Sequence, residues 1–201
     1  MAAAGTSLAV AALAAALLAS CAHAPSPPGE YAAFDRAVSL DDPDTATLAT
    51  AIFAETNRVR AENGVSPLRR VGQLDTASDE QALHMALTLH LEHSNPLPGE
   101  ETAAARVTRT GFQAAHVAEN AVMWPARPPV SSGRGAYTYA QLAAALVESW
   151  MNSPGHRLNL LDPGSTCVGC AARFARNGLG ETMVFATQEF ALPAPGGIGQ
   201  N

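Results

Sequence analysis

The chain has 201 residues, of which 47% are hydrophobic and 15% charged, and its formal net charge is −6. This composition is typical of a globular protein with one domain-sized core. Because Lys and Arg are in deficit, no basic surface is expected for nucleic acid, and we exclude nucleic acid as a partner.

Residues 1–20 predict a lipoprotein signal peptide. They contain no charged side chain, and their apolar run is too short to remain as a membrane-spanning helix. The letters LASC at 18–21 resemble the bacterial lipobox, in which the Cys thiol takes a diacyl lipid. We therefore predict lipidation at Cys21, which makes the membrane a partner through a lipid anchor. The alternative is an ordinary secretory signal with an incidental cysteine.

The segments on either side of the predicted domain are expected to lack a fold of their own. Residues 21–40 are predicted to be a Pro-rich tether, extended at roughly 3 Å per residue, and residues 192–201 a disordered tail. The domain itself is predicted at 41–191. The expected location is the cell envelope, extracytoplasmic and lipid-anchored, and the outer membrane in a Gram-negative cell because Ala22 does not resemble a retention signal.

Three long helices are predicted along the domain. Asp42-Pro43 is typical of an N-cap followed by a first helical residue, and Gly64 of a helix end. A second helix is predicted at 74–89. The third begins with a capping box at 138–141 and presents Leu142, Leu146 and Trp150 on one face. Three apolar runs are strand candidates, at 117–124, 167–174 and 182–190, and the Pro-, Ser- and Gly-rich stretch at 125–136 is a predicted loop.

Cys167 and Cys170 remain as thiols once Cys21 is acylated. In an oxidising envelope their spacing is compatible with a local disulfide. Two free thiols are the other interpretation, and both are favoured over a redox or metal-binding role, for which the neighbouring sequence lacks the necessary features.

Three separated segments carry a resemblance to a known family. They are the letters WMNSPGHRLNLL at 150–161, the pair His93-Ser94, and the run AEN at 118–120. Together they resemble the CAP superfamily (cysteine-rich secretory proteins, antigen 5 and pathogenesis-related 1; the SCP domain) in its bacterial form. The residue pattern alone indicates a mixture of α and β. The resemblance implies an α+β fold, a three-layer α-β-α sandwich with a small antiparallel sheet.

The resemblance also implies a shallow cleft that carries His93, Glu119 and His156. Ser153-Pro154-Gly155 predicts a turn that presents His156 directly after the end of the third helix. Asn120 and Ser153 are expected to donate hydrogen bonds in the cleft floor. The family motif has Gly where this chain has Ala118, and the second acidic residue of eukaryotic members is here Ser153, so the acidic pair is incomplete.

Several chemistries remain open for this cleft. Glu119 can fix the tautomer of a His within a structural cluster. Alternatively, His93 and His156 can hold zinc, with Glu119 as a third ligand or as an orienting group behind one of them. No nucleophile motif is present. The favoured function is a module that binds a small lipid-like ligand or a cell-wall component. The alternatives are a zinc hydrolase with Glu119 as general base and a structural protein of the envelope.

Overall fold

The computed structural model describes residues 32–196. The predicted signal peptide, Cys21, residues 22–31 and residues 197–201 lie outside the described part. Within it, no helix is long and apolar enough to cross a bilayer.

The described chain forms five α-helices and a four-stranded sheet, which confirms the α+β class. In chain order the elements are α1 (Thr45–Glu62), β1 (Arg69–Arg70), α2 (Gly72–Thr88), α3 (Ala103–Arg109), β2 (Ala114–Pro125), a 3-10 turn (Val130–Ser132), α4 (Tyr139–Met151), α5 (Pro154–Leu160), β3 (Cys167–Arg176) and β4 (Thr182–Pro193).

The sheet lies between two helical layers, as the resemblance implied. Its strand order is β1-β3-β4-β2. The three long strands are antiparallel, while the short β1 pairs in parallel with β3, so the sheet is mixed rather than purely antiparallel. Helices α2 and α3 cover one face, and α1, α4 and α5 cover the other.

Successive strand residues alternate between these two layers, and this alternation excludes the predicted disulfide. Cys167 belongs to the apolar cluster beneath α2, whereas Cys170 belongs to the cluster on the α1 side. Residues three apart on a regular strand point to opposite faces. Both thiols are free and buried, so the disulfide interpretation was wrong and the free-thiol alternative is the one observed.

Helix α2 approaches the sheet closely because β3 has a glycine beneath it. A Cβ added to Gly169 would lie 2.0 Å from the carbonyl carbon of Leu74. Only glycine allows the helix backbone to come this near. Helix α2 in turn delivers the chain toward His93, so this contact contributes to the position of the site.

The two ends of the domain extend beyond the predicted boundaries. Phe34 and Val38 are buried in the core, and Ala37 forms a β-bridge with Thr138. Residues 32–40 are therefore part of the fold rather than of a free tether. At the other end, β4 continues to Pro193, and the amide of Ala194 donates to the carbonyl of Gln113 at 2.8 Å. The tail prediction was thus wrong for residues 192–194.

The predicted helix boundaries were close, with two corrections that matter. The N-cap of α1 is Asp44, whose side chain accepts from the amide of Thr47, and not Asp42. The capping box of Thr138 and Gln141 opens α4 as predicted. Gly155, however, lies in the short helix α5 with Pro154 at its start, because a Pro without an N–H suits the first turn of a helix. The predicted turn before His156 is therefore a helix start.

Candidate functional site

Three of the predicted cleft residues meet at the edge of the sheet formed by β2. His93 lies on the loop after α2, Glu119 on β2, and His156 in the first turn of α5. The ring centroids of His93 and His156 are 6.2 Å apart, with an angle of 57° between the ring planes. The Nδ1 atom of His93 is 2.6 Å from Oε1 of Glu119. Since an ionised carboxylate only accepts, Nδ1 carries the proton in this contact.

A buried arginine holds the other side of Glu119. The Nη2 group of Arg106, on α3, donates to Oε2 of Glu119 and, at 3.2 Å, to Oε1 of Glu189 on β4. The side chains of Arg106 and Glu189 are fully buried, and that of Glu119 is 4% exposed. Both oxygens of Glu119 are therefore engaged, one by an imidazole and one by a guanidinium.

The two carboxylates under the cleft are cross-strand neighbours. Glu119 and Glu189 are directly paired in the β2–β4 register. Burial, followed by the negative charge of Glu119, raises the pKa of Glu189 well above its usual range, while Arg106 opposes the shift. Two like charges cannot both be held in this interior by one guanidinium. Glu189 is thus the member of the pair in which the protonated form is favoured.

The two imidazoles have different electrostatic environments. The hydrogen bond to Glu119 raises the pKa of His93, and burial opposes this. Burial lowers the pKa of His156, and the charge of His93 lowers it further. The side chain of His93 is 60% exposed. Compared with a free histidine, the charged form is therefore favoured at His93 and the neutral form at His156.

Two asparagines tie the segments together. Asn120 donates to the carbonyl of His156 at 3.0 Å. Asn159 donates to the carbonyl of Glu119 at 3.1 Å and to Oδ1 of Asn120 at 3.0 Å. Asn120 thus has the floor position that was expected. Ser153 instead occupies the N-cap of α5, where its carbonyl accepts from the amide of Arg157, and its side chain makes no capping hydrogen bond.

Sequence reasoning missed three of the residues that build the site. Arg106 belongs to α3, a helix too short to show a periodic pattern, although Thr102 is a good N-cap signal for it. Glu189 stands in a strand that was read as apolar. Gln81, on α2, donates to the carbonyls of Glu92 at 2.7 Å and Ser94 at 3.4 Å, which fixes the loop on both sides of His93. The cap at Thr102 and an acid within a buried strand were the two signals that could have been followed.

The open part of the site is a shallow hollow beside His93, with a volume of about 480 Å³. Its polar lining includes the side chains of Ser94, Glu101 and Thr102, and its apolar lining Ala103, Val117 and Ala118. The hydroxyl of Ser94 donates to Glu92 at 3.0 Å, and that of Thr102 accepts from the amide of Ala105.

The metal-binding prediction finds two suitable nitrogen donors but no third ligand. Two imidazoles on one tetrahedral zinc would have ring centroids about 5 Å apart, compared with 6.2 Å for His93 and His156. Glu119 turns toward His93 and Arg106, so its geometry matches an orienting group behind His93 better than a ligand. Residues 32–196 contain no group of three His, Cys, Asp or Glu side chains placed to hold a metal ion.

Comparisons with known proteins agree with the fold. The family model described as CAP, the cysteine-rich secretory protein family, matches residues 53–190. A search of curated proteins finds no match. Among solved structures, the chain is similar to an extracellular protein containing an SCP domain from Bacillus anthracis strain Ames, with 22% identity and a TM-score of 0.53 over 73% of this chain. It spans only 41% of that protein.

A second similar structure is an outer surface protein from Borrelia burgdorferi. It has 15% identity and a TM-score of 0.53, and the match covers 75% of this chain and 96% of that protein. At these identities the structural likeness shows a shared fold, while the family model covers most of the chain. The chain therefore belongs to the CAP family, the cysteine-rich secretory protein family.

Proposed function

We propose that the protein is an extracytoplasmic lipoprotein, anchored through Cys21, whose CAP domain binds a ligand in the cleft between His93 and His156. The ligand class is a small lipid-like molecule or a component of the cell wall. No turnover is proposed.

The observation that carries this proposal is the engagement of Glu119. A general base needs a free carboxylate oxygen within reach of the proton that it removes. One oxygen of Glu119 is bonded to His93, and the other is bonded to the buried Arg106. The hydroxyls in the hollow have partners as well, and both described cysteines are buried. A fixed floor in which neither the Glu119 carboxylate nor a cysteine thiol is free supports binding rather than catalysis.

The lining of the hollow supports an amphiphilic ligand. Polar groups lie on the side of His93, Ser94 and Thr102, whereas Ala103, Val117 and Ala118 form an apolar wall. A polar head group can accept hydrogen bonds near His93 while an apolar portion covers the wall.

The test uses the full chain with Cys21→Ser, which removes the predicted lipid without touching the domain. Binding of a bacterial lipid extract and of purified peptidoglycan is measured for this chain and for His93→Ala and His156→Ala, with the exposed His90→Ala as the control. We expect His93→Ala to weaken binding about tenfold, which is the loss of one charge-assisted hydrogen bond, and His156→Ala, whose ring favours the neutral form, to weaken it less. Hydrolysis of peptide or ester substrates that is abolished by His156→Ala would overturn the proposal.

Anchoring is tested separately by metabolic labelling with a radioactive fatty acid. Label and membrane association are expected for the wild-type chain and not for Cys21→Ser. Release of an unlabelled protein to the medium would favour the ordinary secretory signal.

The zinc hydrolase is the second candidate, and the proximity of the two imidazoles is the observation that favours it. In this candidate, His93 and His156 would hold the zinc and Glu119 would orient the ring of His93. The bonds of Glu119 to His93 and Arg106 do not support the predicted role of Glu119 as general base. Metal analysis of a chelator-free preparation decides, since failure to take up zinc at micromolar concentration removes this candidate. If the protein is instead a structural protein of the envelope, it should cosediment with purified cell wall, and His93→Ala should leave this cosedimentation unchanged.

A further inference from the structure

One edge of the sheet has no neighbour. Strand β2 pairs with β4 on one side and with no strand of residues 32–196 on the other. In an antiparallel pair, the main-chain groups of successive residues point alternately toward the partner and away from it. The outward groups of β2 are thus available to another chain where nothing covers them.

Several contacts identify which residues of β2 point outward. The carbonyl of Glu119 accepts from Asn159 instead of from β4. Ala191, the register partner of Val117, uses its carbonyl to accept from Thr166 on the far side of β4. Pro125, which has no N–H, also stands at an odd-numbered position, as a proline on a free edge must. From residue 117 onward, the main-chain N–H and C=O groups of the odd-numbered residues of β2 therefore point away from β4, toward the open edge of the sheet.

The free stretch is short and has defined ends. The amide and carbonyl of Val117 have no hydrogen-bond partner on the edge side among the described residues, and the amide of Glu119 faces the same way. At one end, the register shift between Ala114 and His116 interrupts the regular edge. At the other, Asn159 occupies the carbonyl of Glu119. Between these limits lie unused donors and an acceptor at strand spacing.

A hollow lies on each side of this stretch. On the α3 side is the hollow of about 480 Å³ that contains His93. On the α5 side is a hollow of about 710 Å³, lined by His116 and by the apolar side chains of Pro154, Leu158 and Leu161. Leu158 is 74% exposed. Because side chains of a strand alternate between its two faces, a chain paired with Val117 would direct alternate side chains into the two hollows.

We propose that the edge of β2 at residues 116–119 binds an extended peptide segment as an additional strand, with an apolar side chain in the Leu158 hollow and a polar one beside His93. This is recognition by β-augmentation, in which main-chain hydrogen bonds give affinity and alternate pockets give specificity. A lipid or a glycan has no regular alternation of amide donors and acceptors to match this edge. The inference rests on the proposed function insofar as the hollow beside His93 is a binding site.

The test selects peptides from a phage library of random twelve-residue sequences on the full chain with Cys21→Ser. The selected peptides are synthesised, and their affinities are measured for Val117→Pro and for the control Met123→Pro. Proline at 117 removes an outward N–H and obstructs an added strand, while leaving the pairing with β4 intact. Met123 also lies at an outward position of β2, is 38% exposed, and stands beyond the Glu119 carbonyl that Asn159 occupies, outside the proposed pairing at 116–119.

We expect the selected peptides to have apolar residues at alternate positions. Val117→Pro should bind them at least about tenfold more weakly than Met123→Pro does, because the lost hydrogen bond and the blocked edge together remove about 1.4 kcal/mol or more of binding free energy. Amide exchange at Val117 and Glu119 should slow when the peptide binds. Absence of any enriched peptide, or equal binding by the two proline variants, would overturn the proposal.

Two further variants keep the test decisive. If Val117→Pro fails to fold, Leu158→Asp replaces it, because its exposed side chain can change without loss of the fold, and undiminished peptide binding by it contradicts the proposal. His93→Ala separates the proposed cleft ligand from the proposed peptide at the β2 edge. If this variant loses lipid or peptidoglycan binding but retains peptide binding, both proposals are supported. Peptide binding without any His-dependent ligand supports the edge site alone.

Discussion

Replacement of Arg106 by methionine tests whether the buried charge cluster supports the cleft. Arg106→Met keeps the length of the side chain and removes the guanidinium, which serves Glu119, Glu189 and the main-chain carbonyls of Glu100 and His93. Glu119 is then left in the interior without its cationic partner.

The expected loss is large. Removal of one partner of a buried ion pair costs about 3–5 kcal/mol because the remaining charge is uncompensated. This is a substantial part of the roughly 5–15 kcal/mol that stabilises a typical domain, and corresponds to a decrease in Tm of about 6–20 °C for a domain of this size. Urea unfolding followed by the fluorescence of Trp124 and Trp150 measures it.

Glu189→Gln is the matched control. Because the protonated form of Glu189 is favoured, its amide replacement is nearly isosteric, and we expect a change below about 1 kcal/mol below pH 4.5. At neutral pH we expect no loss, since the variant avoids the cost of keeping Glu189 protonated. A loss as large as that of Arg106→Met would show that Glu189 is ionised. A loss below 1 kcal/mol for Arg106→Met itself would refute the role assigned to the cluster.

The same control gives a pH dependence with a definite sign. Because the pKa of Glu189 is raised in the folded state, the folded protein holds a proton that the unfolded chain releases above pH 4.5, its ordinary value. This contribution to stability is complete below that pH and is lost as the pH rises toward the folded pKa, at up to about 1.4 kcal/mol per pH unit. Glu189→Gln should remove this slope. An unchanged slope in the variant would contradict the assignment.

Three other outcomes follow from the fold. Gly169→Ala should destabilise by about 3 kcal/mol or more because its Cβ would overlap the backbone at Leu74, whereas an unchanged urea midpoint would exclude that close approach. Iodoacetamide at pH 8 should leave Cys167 and Cys170 unmodified in the native protein and alkylate both after unfolding. Both thiols are buried, and burial raises the pKa of Cys170 to about 12. Rapid alkylation of the native protein would contradict this expectation. Asn159→Ala should cost about 1–3 kcal/mol by leaving the groups to which it donates unpaired, and an equally stable variant would show that these bonds do not support the site.

The fold could be predicted from local signals and from the family resemblance. The capping box at Thr138 and the strand runs are short-range features, and the structure contains each of them. The α1 N-cap was placed wrongly at Asp42 because an aspartate there has the chemistry of a cap, and only the contact of Asp44 with Thr47 shows that Asp44 is the N-cap. The tether boundary was missed because two apolar residues, Phe34 and Val38, are too few to form a recognisable pattern, although both are buried.

The site could be predicted in part. His93, Glu119 and His156 were located by motif, but the residues that hold Glu119 were not. Arg106 and Glu189 approach it from different elements, and their pairing depends on strand register rather than on sequence spacing. The disulfide expectation failed for a related reason: the spacing of Cys167 and Cys170 suits a turn, whereas the surrounding residues form a continuous strand.

The most direct test of the cleft is an NMR titration of the imidazole resonances of His93 and His156 in chelator-treated protein. We expect His93 to titrate above the ordinary value of 6.5 and His156 below it, because Glu119 bonds the first ring and burial affects the second. Glu119→Gln should lower the pKa of His93. Two ordinary titrations that are unaffected by this substitution would contradict the convergence of these three residues, and with it the proposed binding cleft.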